Sequence, residues 1–349
     1  MTTQDVTPQA RLAALERRWA DLQDDLALKP VHDNLSAVQG TISTLPIQLE
    51  QIRSRGYAFK AFLERKVQVL HDQWAPLRDQ VTAQIPLQVS ALSMDTSQIT
   101  VQFSRLRSMV GAPVAAAPLA AQLDGMLTTL ESKVQSAVST LNSMFDELKS
   151  NADQTKQQMD EIGRTLDLRD QASFRLLVNE DIVLAVPAQW DKDGKDDPKG
   201  NLFLTDGRVL FERREEVAKK KVLFVTTEKE MVQELQLEVT VPDVEVVKPT
   251  SKGLMGKDDW LEFTFQGRAP VRAANFHIWF ESKDWVTLFG RVKSGEIAQE
   301  RVKAKDSAAA AAVKAAPVKC PTCGASLNVQ IVVGMTQINC DYCGGVIRL

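Results

Sequence analysis

The chain has 349 residues, 44% of them hydrophobic and 25% charged, with a formal net charge of -3 at pH 7. This length exceeds what one hydrophobic core usually supports and predicts two or three domains. The near-neutral charge excludes a global basic field, so binding to nucleic acid or to an anionic membrane would have to be local. The sequence has no apolar signal segment at its start and no long uncharged apolar run, so we expect a cytoplasmic protein. By analogy alone, we also allow for a cytoplasmic protein that attaches to the inner membrane face.

Residues 1–170 carry a helical pattern, because apolar residues recur at alternating spacings of three and four from residue 8 to about 168. Repeats of seven sustained this long predict long helices packed side by side in a coiled-coil rod. We expect three helices, the second running from 31 to 110 with kinks or restarts at Pro46, Pro76 and Pro86. The clearest seam belongs to that second helix and comprises Val31, Leu35, Val38, Ile42, Leu45, Leu49 and Ile52.

Helix lengths suggest how these three helices pack. The first and third together nearly match the second, so we expect the first to fold back along its start and the third along its distal part, ending beside Gly56. This arrangement leaves apolar stripes thinly covered, which self-association would solve. Plain helix packing inside one chain is the simpler explanation of the same seams.

Residues 172–296 have a different pattern of short runs rich in Val, Leu, Phe and Trp, separated by Gly, Pro, Asn and Asp. These predict about seven antiparallel strands, with Asp206-Gly207 as a hairpin turn and KKVLFVTTE as one of the strands. A helical face of Trp285, Leu288, Phe289 and Val292 follows the last strand. We therefore expect a small β-barrel closed at one end by a helix.

This order of segments resembles the pleckstrin-homology (PH) superfold, most closely its GRAM-like branch. The resemblance rests on GNLFLTDGRVLFE, LEVTVPDVEVVK and FHIWFESKDWVTLF, whereas WDKDGKDDPKG is longer and more charged than the family pattern. It implies binding of a lipid head group or of a protein, and it implies no catalysis.

Basic residues near the first hairpins could hold an anionic ligand in such a domain. The candidates are Arg213, Arg214, Lys219, Lys220 and Lys221. Acidic residues are interleaved with them, and residues 171–300 contain 19 basic and 23 acidic side chains. A solvated, charge-balanced surface is the competing interpretation.

Residues 297–317 form an alanine-rich stretch with few large apolar residues, which we expect to act as a semi-flexible tether. Residues 318–349 then contain all four cysteines, as two pairs with a two-residue gap: Cys320, Cys323, Cys340 and Cys343. In a reducing compartment such pairs favour a metal over disulfides, and four thiolates can complete a tetrahedron around zinc.

The segment resembles a zinc ribbon with two knuckles, CPTCG and CDYCG, and with LNVQIVV and TQIN as strands joined at Gly334-Met335. Four protein ligands leave no open coordination position, so we expect the zinc to be structural. A segment this short folds only with its metal.

The sequence contains no phosphate-binding glycine loop, zinc-protease motif or serine elbow, so nothing in it supports an enzyme. We therefore expect a multidomain α + β protein that acts as a non-enzymatic, self-associating scaffold or adaptor. It would bind a protein partner or a membrane surface through the PH-like domain and the ribbon. The alternative is a nucleic-acid-associated factor that uses the ribbon and the basic tether, and an enzyme with an unrecognised site is a third class.

Overall fold

The computed structural model describes residues 7–109, 111–192, 197–222, 225–253, 258–305 and 319–348, without 322, 328, 330, 333, 334, 336, 341 and 342. Side chains at 8, 113, 218–229 and 348 are not included in this description. The described residues form two compact units, each built from two stretches of chain. Unit 1 contains residues 7–47 and 64–157, and unit 2 contains 48–63 and 158 onward. The predicted domains are continuous stretches of sequence, whereas each of these units combines two separate stretches that pack together.

Five helices precede the sheet. They are α1 (Pro8–Asp25), α2 (Lys29–Ser54), α3 (Phe62–Met109), α4 (Pro113–Ser143) and α5 (Asp146–Asp170). All seven residues of the seam predicted for 31–52 are buried on α2. The prediction of a helical N-terminal region is confirmed, and the seam is accounted for by packing within the chain.

Helices that follow one another end to end are called a row here. Unit 1 contains three such rows, formed by α1 with α2, by α3, and by α4 with the start of α5. The indole Nε1 of Trp74 on α3 donates to Gln39 Oε1 on α2 at 2.5 Å. On the third row, Lys133 binds Asp95 of α3 at 2.7 Å. The row of α3 runs antiparallel to the other two.

The position of α1 differs from the prediction. Glu16 binds Arg107 near the end of α3 at 2.7 Å, and Arg18 binds Asp124 of α4 at 2.7 Å. The prediction that the first helix folds back along the start of the second was wrong, because α1 instead packs beside the end of α3 and the start of α4. Both helices consequently lie in one row.

The predicted second helix is two helices, because the chain turns at 55–61. Gly56 adopts a left-handed φ of 85°, and the Arg53 guanidinium donates to the carbonyls of Tyr57 at 2.9 Å and Phe59 at 2.7 Å. Pro46 lies inside α2, and Pro76 and Pro86 lie inside α3, so the helices do not restart at these prolines, and of the two expected outcomes the kink stays a prediction. The third row does end near Gly56, since Arg169 of α5 donates to the carbonyl of Arg55 at 2.9 Å.

Seven antiparallel strands form one sheet in unit 2. They are β1 (Ile182–Asp191), β2 (Lys199–Thr205), β3 (Arg208–Val222), β4 (Val225–Thr240), β5 (Val244–Lys252), β6 (Asp258–Phe265) and β7 (Ala273–Ile278). Their order across the sheet is β4-β3-β2-β1-β7-β6-β5. The predicted turn at Asp206-Gly207 joins β2 to β3. This strand order with a following helix is PH-like.

The sheet is not closed into a barrel. Its edge strands β4 and β5 are consecutive in sequence and are joined by a short 3₁₀ helix, Val241–Asp243, but they are not hydrogen-bonded neighbours in the sheet. The sheet therefore curls until its two edges meet at this corner without pairing. The barrel prediction was wrong on this point.

Helix α6 (Ser282–Lys293) packs against strands β5 and β6 of the sheet. Trp285, Phe289 and Val292 are buried, while Leu288 is half-buried. Trp285 meets Phe263 of β6 in an edge-to-face contact with ring centroids 5.3 Å apart. The predicted closing helix is therefore confirmed, together with three of its four core residues.

The run KKVLFVTTE is not one strand. Lys220, Lys221 and Val222 end β3, and Val225 begins β4, with Val222 paired to Val225. Apolar residues on both sides of a hairpin connection gave the sequence the appearance of a continuous strand.

Among the described residues, no helix is long and apolar enough to cross a membrane.

Candidate metal centre

The four cysteine sulfurs lie together at one point of unit 2, all within 4.8 Å of one another. The Sγ atoms of Cys320 and Cys343 are 3.7 Å apart, as are those of Cys323 and Cys340. A disulfide would require about 2.05 Å. A tetrahedron with metal–sulfur bonds of about 2.3 Å has edges of about 3.8 Å. The observed spacing therefore suits four thiolates around one ion.

The two knuckles share one backbone geometry. In the first, the amide of Gly324 donates to the Cys320 carbonyl at 2.8 Å, and in the second Gly344 donates to Cys340 at 2.8 Å. Gly324 has a φ of 73° and Gly344 a φ of 70°, in the region that glycine adopts without a Cβ penalty. Each CxxC pair is thus folded around the same tight turn, which aims both of its sulfurs the same way.

The crowded thiols need a cation to lose their protons together. The Gly345 amide favours the thiolate of Cys343, but the neighbouring thiols outweigh it and raise the pKa of Cys343 to about 12. A dication at the centre of the four sulfurs would remove this repulsion. The donor set and its spacing therefore fit a metal such as zinc.

Outside the knuckles, the ribbon has only a small core. Strands β8 (Gln337–Asn339) and β9 (Val346–Arg348) pair antiparallel, and Ile338 and Ile347 are buried with Cys320 and Cys340. The predicted strand TQIN corresponds to β8. The predicted partner LNVQIVV does not pair with it: β8 pairs with β9, and none of the described residues between 327 and 333 lies in a named strand. The Gly334-Met335 connection lies partly outside the described residues.

The ribbon contacts the segment that precedes β1. Val332 forms an antiparallel bridge with Leu177, and the Val178 amide donates to the Ile331 carbonyl at 3.2 Å. The residues expected to form a ribbon strand instead connect the ribbon to the PH-like domain. Both belong to unit 2.

A buried ion pair holds residues 177–181, called the docking segment from here on, in place. Glu180 and Arg208 have side chains that are each only 5% exposed, and Arg208 Nε donates to Glu180 Oε1 at 2.8 Å. Glu180 Oε2 also accepts from the Leu177 amide at 2.7 Å, and Oε1 accepts from the Thr205 hydroxyl at 2.5 Å. Arg208 donates as well to Glu238 at 2.7 Å. This network links the docking segment to β2, β3 and β4.

The start of the predicted tether is also packed. A short 3₁₀ helix covers Glu296–Glu300, and Arg301 lies over the ring of Phe59 at 4.9 Å while binding Asp206 at 3.0 Å and Asp181. The Val302 amide donates to the carbonyl of Ala58 at 2.9 Å. Residues 297–301 are therefore part of the packed structure, residues 302–305 are exposed, and the rest of the predicted tether lies outside the described residues.

A cavity of about 630 Å³ opens where the turn at 55–61, the docking segment and the tail meet. Buried Tyr57 lines it and donates its hydroxyl to the Val183 carbonyl at 3.2 Å, and burial raises the pKa of Tyr57. Its described walls combine backbone, small apolar side chains and ion-paired residues. They comprise Arg53, Gly56, Tyr57, Ala58, 178–181 and 301–305.

The five candidate anion-binding residues all lie on β3, but they are spread along it. Arg213 binds Glu215 at 2.7 Å, and Arg214 donates to Gln171. The side chains of Lys219, Lys220 and Lys221 lie outside the described part of the structure, where only the strand pairing is known. Anion binding by these residues stays a prediction.

Sequence reasoning did not find the Glu180–Arg208 pair or the role of Arg301. Each depends on residues that are distant in sequence and brought together by the sheet. The one local signal was an apolar segment interrupted by Asn179-Glu180-Asp181 just before β1.

Comparisons with known proteins give only distant matches. No protein-family model matches the chain, and no curated protein matches it. Among solved structures, a C-terminal domain of an unknown protein from Leishmania infantum is 11% identical, with a TM-score of 0.21 over 32% of this chain and 84% of that one.

Larger matches cover both helices and sheet. The linker-DH/PH domains of p115-RhoGEF are 12% identical with a TM-score of 0.23, covering 82% of this chain and 97% of theirs. The DH/PH domains of PDZ-RhoGEF, solved in complex with activated RhoA, are 8% identical with a TM-score of 0.27, covering 84% and 96%. TM-scores this low carry no argument, so the PH-like assignment rests on the strand order and on α6.

Proposed function

We propose that the chain is a non-enzymatic adaptor whose zinc ribbon and PH-like domain together form a recognition surface for a protein partner or a membrane surface. On this proposal the helical region self-associates and presents more than one copy of that surface. The protein acts in the cytoplasm, where it can attach to the inner membrane face.

The observation that carries this proposal is the contact between the ribbon and the docking segment. The bridge from Val332 to Leu177 and the bond from Val178 to Ile331 join a metal-folded segment to the PH-like sheet. A ribbon that only stabilised itself would need no such contact. The docked ribbon instead extends the surface of the domain beside the 630 Å³ cavity.

The proposed metal is structural zinc held by Cys320, Cys323, Cys340 and Cys343. Four thiolates satisfy a tetrahedral zinc ion and leave no position for a substrate or an activated water. This supports an architectural role for the metal rather than a catalytic one.

Measurement of bound metal and of binding by matched variants tests the proposal. Protein purified under reducing conditions should contain zinc, and Cys340→Ser should lose both the zinc and the binding to protein partners or anionic liposomes. Ser326→Ala, a change in the ribbon at a residue that is not a ligand, should retain both. Metal-free wild-type protein, or unchanged binding by Cys340→Ser, would contradict the proposal.

The alternative function, nucleic-acid association, rests on charge in the C-terminal segment. Residues 301–349 contain six basic and two acidic side chains. Two of the six, Arg301 and Lys305, bind Asp206 at 3.0 and 2.8 Å, and four thiolates around a dication add a charge of about -2. The remaining positive charge is small, which favours the adaptor. Affinity for DNA or RNA that falls steeply with salt would favour the alternative, and an activity screen addresses the third class, an unrecognised enzyme.

A further inference from the structure

Helix α3 carries a second apolar stripe that faces solvent. Leu87, Met94 and Val101 are seven residues apart and are 60%, 79% and 63% exposed. The buried stripe of the same helix also repeats every seven residues. It comprises Ile85, Leu92, Ile99 and Leu106. One stripe is therefore packed inside unit 1, and the other has the same period but no covering residue in the described part of the chain.

The residues between these three complete a heptad pattern. Ala83, Ser90, Ser97 and Ser104 are all exposed and alternate with the large residues at spacings of three and four. In such a seam, small residues allow a second helix to approach closely, while each large residue can enter a space on the facing helix. This pattern distinguishes the stripe from isolated exposed apolar residues.

Charge is nearly absent from this face. Between Gln80 and Ser104 the only charged residue is Asp95, and its carboxylate already binds Lys133 at 2.7 Å. A helix face that stays in water usually carries many charged residues. The composition of this face therefore indicates an interface.

We propose that this stripe, defined here as the α3 seam (residues 80–104), pairs with the α3 seam of a second copy in an antiparallel, two-fold arrangement centred on Met94. The inference rests on the self-association in the proposed function and assigns it to one surface. Leu87 and Val101 are equally distant from Met94, so in this arrangement each packs against the other across the axis. Such self-complementarity is what a two-fold interface requires.

The charges that flank the seam favour the antiparallel direction. In that pairing, Arg105 of one copy faces position 83 of the other, four residues or about one turn from Asp79, which also binds Arg78 of its own copy at 2.8 Å. In a parallel pairing, Arg105 would face Arg105. An antiparallel second copy thus satisfies the apolar pattern and keeps the two Arg105 side chains apart.

The size of the seam predicts a weak dimer. At about 1.5 Å per residue it is roughly 38 Å long. One helix against one helix over this length lies near the lower limit of about 1,200 Å² for specific interfaces, where dissociation constants are commonly micromolar. We therefore expect a concentration-dependent monomer–dimer equilibrium.

Sedimentation equilibrium of the full-length, metal-loaded protein tests this interface. Met94→Glu places two like charges at the axis and should raise the dissociation constant at least about tenfold. Ile47→Glu changes an apolar residue that is also exposed, at 59%, but lies on α2 outside the seam, and it should leave the constant unchanged. Circular dichroism of both variants should show unchanged helix content, because neither side chain is in the core.

A mixture of charge variants gives a second readout. Met94→Glu and Met94→Lys should each be monomeric alone and should associate when mixed, since opposite charges then meet at the axis. Rescue in the mixture supports direct pairing of the two seams, because a damaged fold would not be repaired by mixing.

The possible failures are distinguishable. A wild-type dimer that Met94→Glu does not weaken would overturn the α3 seam while leaving self-association intact. A wild-type monomer at concentrations up to about 100 µM would overturn both the seam and the self-association in the proposed function. Failure of the Glu and Lys variants to associate when mixed would overturn the antiparallel arrangement centred on Met94.

Discussion

Replacement of Arg208 by methionine should expose how strongly the docking segment depends on the buried ion pair. Methionine keeps much of the apolar stem but removes every donor of the guanidinium. Glu180, whose side chain is only 5% exposed, would lose its two bonds from Arg208, and Glu238 would lose its bond as well. Burial alone would lower the pKa of Arg208, but the bonds and charges of Glu180 and Glu238 outweigh it and raise that pKa. The guanidinium of Arg208 therefore stays charged in its buried position.

The expected loss of stability follows from this burial. Removing one partner of a buried ion pair typically costs about 3–5 kcal/mol, because the other charge stays buried without compensation. Glu238 is 33% exposed and can turn to water, which favours the lower value of about 3 kcal/mol. For a unit of about 150–250 residues, this corresponds to a fall in Tm of roughly 6–12 °C.

Thermal unfolding followed by circular dichroism can measure this effect. Arg213→Met, on the same strand, removes only the partly exposed pair with Glu215 and should cost less than about 1 kcal/mol. The double variant Arg208→Met with Glu180→Gln should recover about 1–2 kcal/mol, because a neutral amide replaces the stranded carboxylate. If Arg208→Met lowers Tm no more than Arg213→Met does, or if the double variant is no more stable than Arg208→Met, the reasoning about the buried charge is refuted.

Two further predictions concern the ribbon and the first helix. Removal of metal by a chelator should speed hydrogen exchange at the Val178 amide by about tenfold, since its bond to Ile331 needs a folded ribbon, and amides inside β2 should serve as controls. Unchanged exchange at Val178 would contradict metal-dependent docking. On α1, hydrogen bonds from Arg18 hold the pKa of Glu131 below its usual value. The stability from this pair should be present above the unfolded pKa of about 4.3 and should be lost as the pH falls through the lower folded pKa. Both groups are about a third exposed, so Arg18→Met should remove less than about 1 kcal/mol of pH-dependent stability, and a titration curve identical to wild type would count against it.

The cysteine cluster could be predicted from the sequence because its determinants are local. A two-residue gap and a following glycine fix each knuckle within five residues, so spacing alone places two sulfurs on one side of a turn. The seam from Val31 to Ile52 was also readable, since helical periodicity reports burial without knowledge of the partner. Neither inference required knowing which distant segments meet.

The errors share a different physical origin. Pro46, Pro76 and Pro86 looked like helix breaks, but a helix held by neighbouring rows tolerates a lost bond, and the break occurs at Gly56, where Arg53 holds three carbonyls of the turn. Tertiary contacts decided between these sites. Nothing local in the sequence reports them.

Tertiary contacts also decide the structure of the segment that follows α6. Its alanines and lysines predict a tether, yet its first residues are held by Arg301, through Phe59, Asp181 and Asp206, and by the bond from the Val302 amide to the Ala58 carbonyl. A single long side chain with three distant partners leaves no periodic signal in the sequence.

The candidate anion-binding residues show that a cluster of basic residues in sequence does not predict a shared binding face. Consecutive residues of a regular strand point to opposite faces, so Arg213 and Arg214 diverge on β3. These two neighbouring basic residues therefore cannot both reach one ligand from the same face of this strand.

Weak contacts suit the proposed adaptor if its valency is more than one. A single ribbon docked beside a modest cavity offers limited area, and the α3 seam is near the minimum for a specific interface. Joining two such weak surfaces in one dimer makes the second contact intramolecular, which raises apparent affinity by about 10²–10⁴ without any new contact. Under this arrangement, loss of dimerisation and loss of zinc would both abolish recruitment. The dimer would be needed for avidity, and the metal for the surface that each copy presents.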